Sequence, residues 1–355
     1  MEIPKIVPII GLKLGGGGVD KPPLQEDRMS QKWEAQVFVK WNKKWPSGFD
    51  LSGLCAGSSK ELKLHSQSIQ AICETYADRR SEKRKPYLRY RGKEHTGWIP
   101  FKASGIKIKS NGFAYAGKLY KVWMSRPLPE NAKIKTGSFS QDAQGHWYIN
   151  ITFAVPDMQV MPAAKQIGID LGLKELAVFS DGKKEEAQQF YRDLEPALAV
   201  AQRANKKKLV KAIHARIANR RKDHLHKLST RLVQEHGFIA VGNVNASKLA
   251  KTKMAKSVLD AGWSSFRDML KFKAVAHGAM VIEVNEAFST VTCSCCASRT
   301  GPEGVAGLRI REWTCSSCGQ HHDRDTNAAK NIFRLGHETL AVGISVLTAQ
   351  AAAIG

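Results

Sequence analysis

Two cysteine pairs constrain this chain more than any other feature: Cys293 with Cys296, and Cys315 with Cys318. Two residues lie inside each pair and eighteen between them, the spacing of a zinc ribbon in which four thiolates close a tetrahedral shell. A closed shell leaves no position for chemistry, so the single Zn²⁺ expected here is structural. Cys295 gives the first pair a second reading, and His321 or His322 is a possible replacement ligand; the four-cysteine shell is the expectation.

Seven cysteines in all, an odd number with four in close-set pairs, suit a reducing compartment with bound metal better than a disulfide framework. A cytoplasmic protein is expected. Lys and Arg outnumber Asp and Glu by 55 to 32, a net charge of +23, and such an excess repels itself unless a polyanion offsets it. Nucleic acid is therefore the leading partner. Ile6–Ile10 is too short and too interrupted by Pro8 for a secretory start. The charge-poor end from Leu340 falls short of the ~20 apolar residues that span a bilayer. No membrane and no obligate protein partner are expected.

At 355 residues the chain is long enough for two or three domains. Residues 1–30, with the Gly15–Gly18 tract, Pro22 and Pro23, read as a flexible lead-in. From Trp33 to Trp41 polar and apolar residues alternate as in a half-buried strand. Over Glu61–Arg80 the period becomes helical, with Ile69, Ile72, Cys73 and Tyr76 on one face and Arg79, Arg80 and Arg84 in the basic cluster that closes it. Strand patterns return at 105–109, 118–123 and 147–153, and predict an antiparallel barrel of five to seven strands over 31–160 with a helical insertion at about 58–92. Pro156–Pro162 reads as the linker. Beyond it, strands at 165–173, 175–180, 238–241 and 280–284 interleave with helices, one of them Trp263–His277, which predicts an α/β layer architecture.

In the second half a long helix carries an apolar stripe of Val210, Ile213, Ile217, Leu225, Leu228 and Leu232. Lys206, Lys207, Lys208, Lys211, Arg220 and Arg221 line its other faces, either as a solvated surface or as contacts to a phosphate backbone.

Period-two alternation in Ile167–Leu173 puts Ile167, Ile169, Leu171 and Leu173 on one face and Gly168, Asp170 and Gly172 on the other. A mid-strand acid is costly without compensation, and the glycines leave room for a substrate backbone. Asp170 either accepts hydrogen bonds from a neighbouring loop or binds a cation. Asp325, at the start of the last helix, is either a cap or a second ligand. Two acids converging on one sheet edge would suit Mg²⁺, which prefers carboxylate oxygen.

Ile167–Leu173, the Glu283–Thr290 lead-in to Cys293 and the string Asp323–Asn331 occur in that order around a ribbon. In this they resemble the RuvC-like nuclease segments of TnpB proteins, transposon-encoded RNA-guided relatives of Fanzor proteins and type V CRISPR effectors. The resemblance covers Lys165 to about Leu335, and the first half resembles the family in layout alone.

It implies an α+β multidomain fold: a β-barrel wedge domain with a short helical recognition insertion, then an RNase H-like (RuvC) α/β domain over 163–355 with the ribbon inserted at 290–322. It further implies a guide RNA encoded near the transposon end, and cutting of double-stranded DNA beside a short flanking motif. Guide pairing would read the target while the protein holds the heteroduplex backbone. Two Mg²⁺ ions roughly 4 Å apart would activate a water and stabilise the leaving oxygen, and Arg324 would either steady the phosphate or face outward.

One departure matters. The family usually carries its second acid as Glu-Asp-Leu after the third strand, whereas this chain has Gly242-Asn243-Val244. Some members look rearranged, with the glutamate supplied from the strand entering the ribbon, and here Glu286 follows Val284-Asn285. The expected metal-binding triad is Asp170, Glu286 and Asp325, with Glu283 non-catalytic. The alternative is a nuclease-inactive RNA-guided DNA-binding protein. A basic zinc-ribbon protein of an RNA assembly is a third class. Trp98, Tyr115, Tyr120 and Trp123 are either base-stacking or core residues.

Overall fold

The computed structural model describes residues 6–14, 45–82, 97–124, 128, 133–154 and 161–354, except 63, 111, 245, 250, 252, 253 and 308. The strand expected at Trp33–Trp41, and Arg84 of the basic cluster, lie outside the described residues. Two compact units divide the chain, Met1–Asp157 and Met158–Gly355.

The first unit begins with β1 (Ile6–Leu14), inside the segment expected to be a flexible lead-in. It pairs with Lys118–Trp123 and Trp147–Ala154, and against the latter the register slips between Val7 and Ile10, around Pro8. Proline has no N–H to give to a ladder and is tolerated at such irregularities. Helices α1 (Gly48–Leu54) and α2 (Ser66–Glu82) follow. Then come β2 (Trp98–Lys102), β3 (Ile106–Lys109), β4 (Gly112–Tyr115), β5 (Lys118–Trp123), β6 (Lys133–Gln141) and β7 (Trp147–Ala154).

They form one seven-stranded sheet in the order β2-β6-β7-β1-β5-β4-β3. Alternation buries Ile149, Ile151 and Phe153 of β7 with Phe101, Phe113, Tyr115 and Phe139. Helices α1 and α2 share a small core of Leu51, Cys55, Ile69, Cys73 and Ala77. Of the expected helical face, Ile69 and Cys73 are buried while Ile72 and Tyr76 are half-buried. Buried Ser68 ties α2 to the sheet by donating to the Pro100 carbonyl at 2.5 Å.

In the second unit β8 (Lys165–Leu171), β9 (Glu175–Phe179) and β10 (Lys184–Glu186) make an antiparallel meander. After α3 (Phe190–Arg203) and α4 (Lys207–Glu235), β11 (His236–Gly242) runs parallel to β8. Then α5 (Ala255–Ala261) and α6 (Trp263–His277) lead to β12 (Met280–Val284), parallel to β11. The sheet order is β10-β9-β8-β11-β12. The ribbon hairpin β13 (Glu312–Thr314) and β14 (His321–Asp323) precedes the last helix, α7 (Arg324–Ile354). Among the described residues no helix is long and apolar enough to cross a membrane.

The two faces of this sheet differ in what covers them. Ile167, Ile169 and Leu171 pack with Leu225, Leu228 and Leu232 of α4 and Phe266 and Leu270 of α6. The opposite face, with Phe238 and Ala240 of β11, meets Ile332 of α7. On this second face a methyl group at Gly168 would lie 2.3 Å from the Ala329 carbonyl oxygen, and one at Gly336 2.5 Å from the Ala240 methyl. The space beside Gly168, expected to admit a substrate backbone, is therefore filled by α7. Gly172 likewise faces the Glu175 carbonyl, 2.8 Å from a built Cβ.

Candidate metal centres

Each cysteine pair of the ribbon sits in a tight turn. Ala297 (φ 63°) and Gly319 (φ 71°), one residue past each pair, adopt the left-handed conformation that bends the backbone round the sulfurs. The Sγ atoms of Cys293, Cys296, Cys315 and Cys318 all lie within 4.8 Å of one another. Cys293 and Cys318 are 3.7 Å apart, and Cys296 and Cys315 are 3.6 Å apart. Four sulfurs each about 2.3 Å from a tetrahedral zinc would be about 3.8 Å apart, so the residues fit that ion.

Cys295 is exposed and contributes its backbone N–H to the Cys293 sulfur at 3.4 Å. His322 Nε2 lies 3.0 Å from the same sulfur, under the Trp313 ring. The Thr300 hydroxyl donates to the Cys315 sulfur at 3.1 Å. These three support the thiolates from outside the group of four.

The carboxylates come together through the sheet. Register pairs Ala240 with Gly168 and Val241 with Ile169, so the next step on β11 sets Gly242 beside Asp170, both on the face covered by α7. Gly242 pairs with Val284 on its other side. Two residues later Glu286 folds back over that glycine: a methyl group built on Gly242 would lie 2.6 Å from Glu286 Oε2 and 3.4 Å from its Cβ. The Glu286 side chain thus fills the space that an acid at 242 would enter. Its Oε2 is buried without a hydrogen-bond partner among the described residues, and burial pushes its pKa up, against the opposing charge of Arg267. Asp170 is pushed up to about 8, first by burial and then by the negative charges of Glu286 and Asp325, with Arg324 opposing. A buried Asp170 whose ionisation is made costly by burial and by two nearby carboxylates, beside a Glu286 oxygen with no hydrogen-bond partner among the described residues, is a setting a cation would relieve.

Asp325 does not cap its helix. Asp323 does, accepting from the Thr326 N–H at 2.8 Å, and it also pairs with Lys184 at 2.9 Å. The Asp325 carboxylate is instead met by Arg311 of the ribbon at 2.9 and 3.3 Å. Arg324 turns inward rather than toward solvent: it is 9% exposed and donates to the Gly307 carbonyl. Glu283, expected to be non-catalytic, forms ion pairs with Lys271 at 2.9 Å and Arg267 at 3.4 Å.

Two asparagines of α7, Asn327 and Asn331, reach the segment that follows Glu286. The Asn331 side-chain amide donates to the Ser289 and Thr292 carbonyls at 2.9 and 2.6 Å. Asn327 donates to the same two carbonyls and accepts from the Ser294 N–H at 2.8 Å. Both are buried, and together they tie the segment carrying Glu286 to the helix carrying Asp325. Buried asparagines one helical turn apart in an otherwise apolar face were the available signal.

Among the candidate nucleic-acid contacts, Lys206, Lys207, Lys208, Lys211 and Arg220 are exposed along α4, as is Arg79 on α2. Arg221 is half-buried and donates to the Leu259 carbonyl and Asp260. Arg80 lies over the Trp45 ring. Tyr115 belongs to the core of the first sheet and Tyr120 packs against it, whereas Trp123 is 67% exposed.

The chain is similar to several known proteins. A family model described as "Probable transposase" matches residues 150–253, and one described as "Cas12f1-like, TNB domain" matches residues 263–332. A protein of Streptomyces pristinaespiralis named "Putative RNA-guided DNA endonuclease" is 32% identical over 341 residues, 90% of this chain and 81% of that protein. The similarly named InsQ of Escherichia coli K12 is 25% identical, over 86% of this chain and 81% of its own length. "TnpB-like protein L79" of Acanthamoeba polyphaga mimivirus is 26% identical over 61% of this chain and 46% of its own. Among solved structures, a chain of a Cas12f1–sgRNA–target DNA complex matches with a TM-score of 0.56 at 14% identity, covering 86% of this chain and 80% of that one. That likeness is one of fold.

Proposed function

The chain belongs to the TnpB family, and from that premise we propose that it is an RNA-guided DNA endonuclease with Asp170, Glu286 and Asp325 as its metal-binding acids. The observation that carries the reading is Glu286 lying over Gly242 beside Asp170. The acid missing from β11 is replaced in space by one from the segment after β12. A chain that had lost cleavage would have no reason to keep a buried, unpaired carboxylate there, since such a group costs stability wherever no cation meets it.

The sheet order of the second unit, a meander followed by two parallel strands, supports an RNase H-like (RuvC) domain. The seven-stranded sheet of the first supports a wedge domain closed into a barrel. Guide RNA and double-stranded target DNA are the partners this reading requires. Exposed Lys206, Lys207, Lys208, Lys211 and Arg220 offer phosphate contacts.

Two Mg²⁺ ions, when bound, would lower the pKa of a water and offset charge on the leaving oxygen. The protein's own part is geometric. Asp170 is fixed by the central strand, Asp325 by the first turn of α7, and Glu286 by the loop that Asn327 and Asn331 hold. Arg311 and Arg324 partly balance the acids' charge before a cation arrives. Zn²⁺ in the four-cysteine shell would keep the ribbon, and with it Arg311 and the Glu286 loop, in place.

The test is cleavage of a DNA library with a randomised flank by protein purified with its co-expressed RNA, in the presence of Mg²⁺. Cut ends at one flanking sequence are expected. Protected but uncut target would point to a guided binder, and absence of co-purifying RNA would overturn the guided reading altogether.

A further inference from the structure

On the sheet face opposite α7 the second unit holds a pocket of about 300 Å³ that none of the acids enters. Its floor is Leu173, Leu176 and Leu225, and its walls come from the start of α3 and from α4 and α5. Phe190 meets His224 edge-on at 6.0 Å, and the Lys256 ammonium lies 5.6 Å from the centre of the Tyr191 ring. Asp260 is 8% exposed; one of its oxygens accepts from the Tyr191 N–H at 2.9 Å and the other lies 3.4 Å from Arg221. Nε2 of His224 is buried with no hydrogen-bond partner among the described residues, its nearest carboxylate oxygen being that of Glu185 at 3.8 Å.

These groups are the parts of a site for a flat polar ring carrying an anion. Apolar and aromatic surface would cover a base, while Asp260 and the His224 imidazole would meet its polar edge. Arg221, bonded to the Leu259 carbonyl and Asp260, and Lys256, paired with Glu195, stand at the rim, where a phosphate would compete with those partners. The volume is at the lower end of the roughly 300–1,000 Å³ of small-ligand pockets, enough for one nucleotide and too small for a duplex. Leu173 follows Asp170 by three residues, so it lies within about 11 Å along the chain.

We propose that this pocket receives one unstacked nucleotide of a bound nucleic-acid strand, gripped by base contacts of the kind used for splayed single strands. The inference rests on the nucleic-acid-binding reading above but not on cleavage. The strand can be the guide RNA or the DNA, and the test separates them.

The ribonucleoprotein with its DNA target is irradiated with 4-thiouridine in the RNA in one arm and 4-thiothymidine in the DNA in the other, and adducts are mapped by mass spectrometry. An adduct on the Phe190–Arg192 peptide or on His224 is expected in one arm, which names the strand. Ser257→Trp, which fills the pocket, should reduce it at least tenfold; Lys256→Ala on the exposed rim gives a second reading if the first variant does not fold. Adducts absent from the pocket in both arms, or unchanged in both variants, overturn the proposal. RNA co-purification and target cutting in the same preparation show whether only this inference has failed.

Discussion

The ribbon and the acid cluster are joined by a few residues of chain, yet they are built in opposite ways. The ribbon's four sulfurs come from two local turns, and they already lie within 4.8 Å of one another. The acids come from a strand, a loop and a helix that are 116 and 39 positions apart in the chain (170 to 286, 286 to 325). The sheet, α7 and two asparagines bring them near enough that Glu286 and Asp325 both act on the charge of Asp170. Short turns can shape a soft-metal site before the metal arrives. An acid site assembled from distant segments accumulates repulsion instead, visible in Asp170 raised to about 8 and in the unpaired oxygen of Glu286.

If that contrast holds, removing zinc has the largest effect. Structural zinc is worth about 10–16 kcal/mol in small finger peptides, so Cys315→Ser should empty the ribbon, free Arg311 and end cutting. Metal analysis and a cleavage assay check this; full activity without zinc would break the comparison. Gly168→Ala comes next, because its methyl group would sit 2.3 Å from a helix carbonyl. A loss on the order of 3 kcal/mol or more is expected from chemical denaturation, with cutting reduced alongside.

The acid cluster itself gives a pH signature in metal-free protein. Asp170 holds its proton in the folded state up to about 8 and loses it near 4 when unfolded, so the folded state binds more protons between those values. Stability should therefore fall as pH rises from 5 to 8. Thermal melts should show this decline, and Asp170→Asn should flatten it; an unchanged slope in the variant would assign the effect elsewhere. The smallest effect is expected for Arg311→Gln, whose partly exposed ion pair is worth about 1 kcal/mol or less to folding.

Much of this was legible in the residues. Strict alternation marked Ile167–Leu173, and Trp263–His277 was read as one of the helices between the strands. The cysteine spacing pointed to the ribbon, and the family resemblance pointed to Glu286. What escaped was decided by packing between distant segments. Gly168 looked like room for a substrate because nothing local says that α7 will fill it. Arg324 and Asp325 are neighbours on a helix start, where composition does not tell which side chain turns inward or that Asp323 makes the cap. The Gly15–Gly18 tract with Pro22 and Pro23 suggested a loose lead-in, because nothing local says that Ile6–Leu14 ahead of them will pair into a sheet with strands more than a hundred residues on.

The most direct test compares target binding and cutting by Glu286→Gln and by the swap Gly242→Glu/Glu286→Ala, each loaded with guide RNA and Mg²⁺. The single variant should bind target as the parent does but cut more than about a hundredfold more slowly, beyond the 10–100-fold typical of losing an outer hydrogen-bonding partner of a metal ligand. The swap, which returns the acid to β11 and removes the side chain it would strike, should recover cutting. Undiminished cleavage by Glu286→Gln would contradict the account.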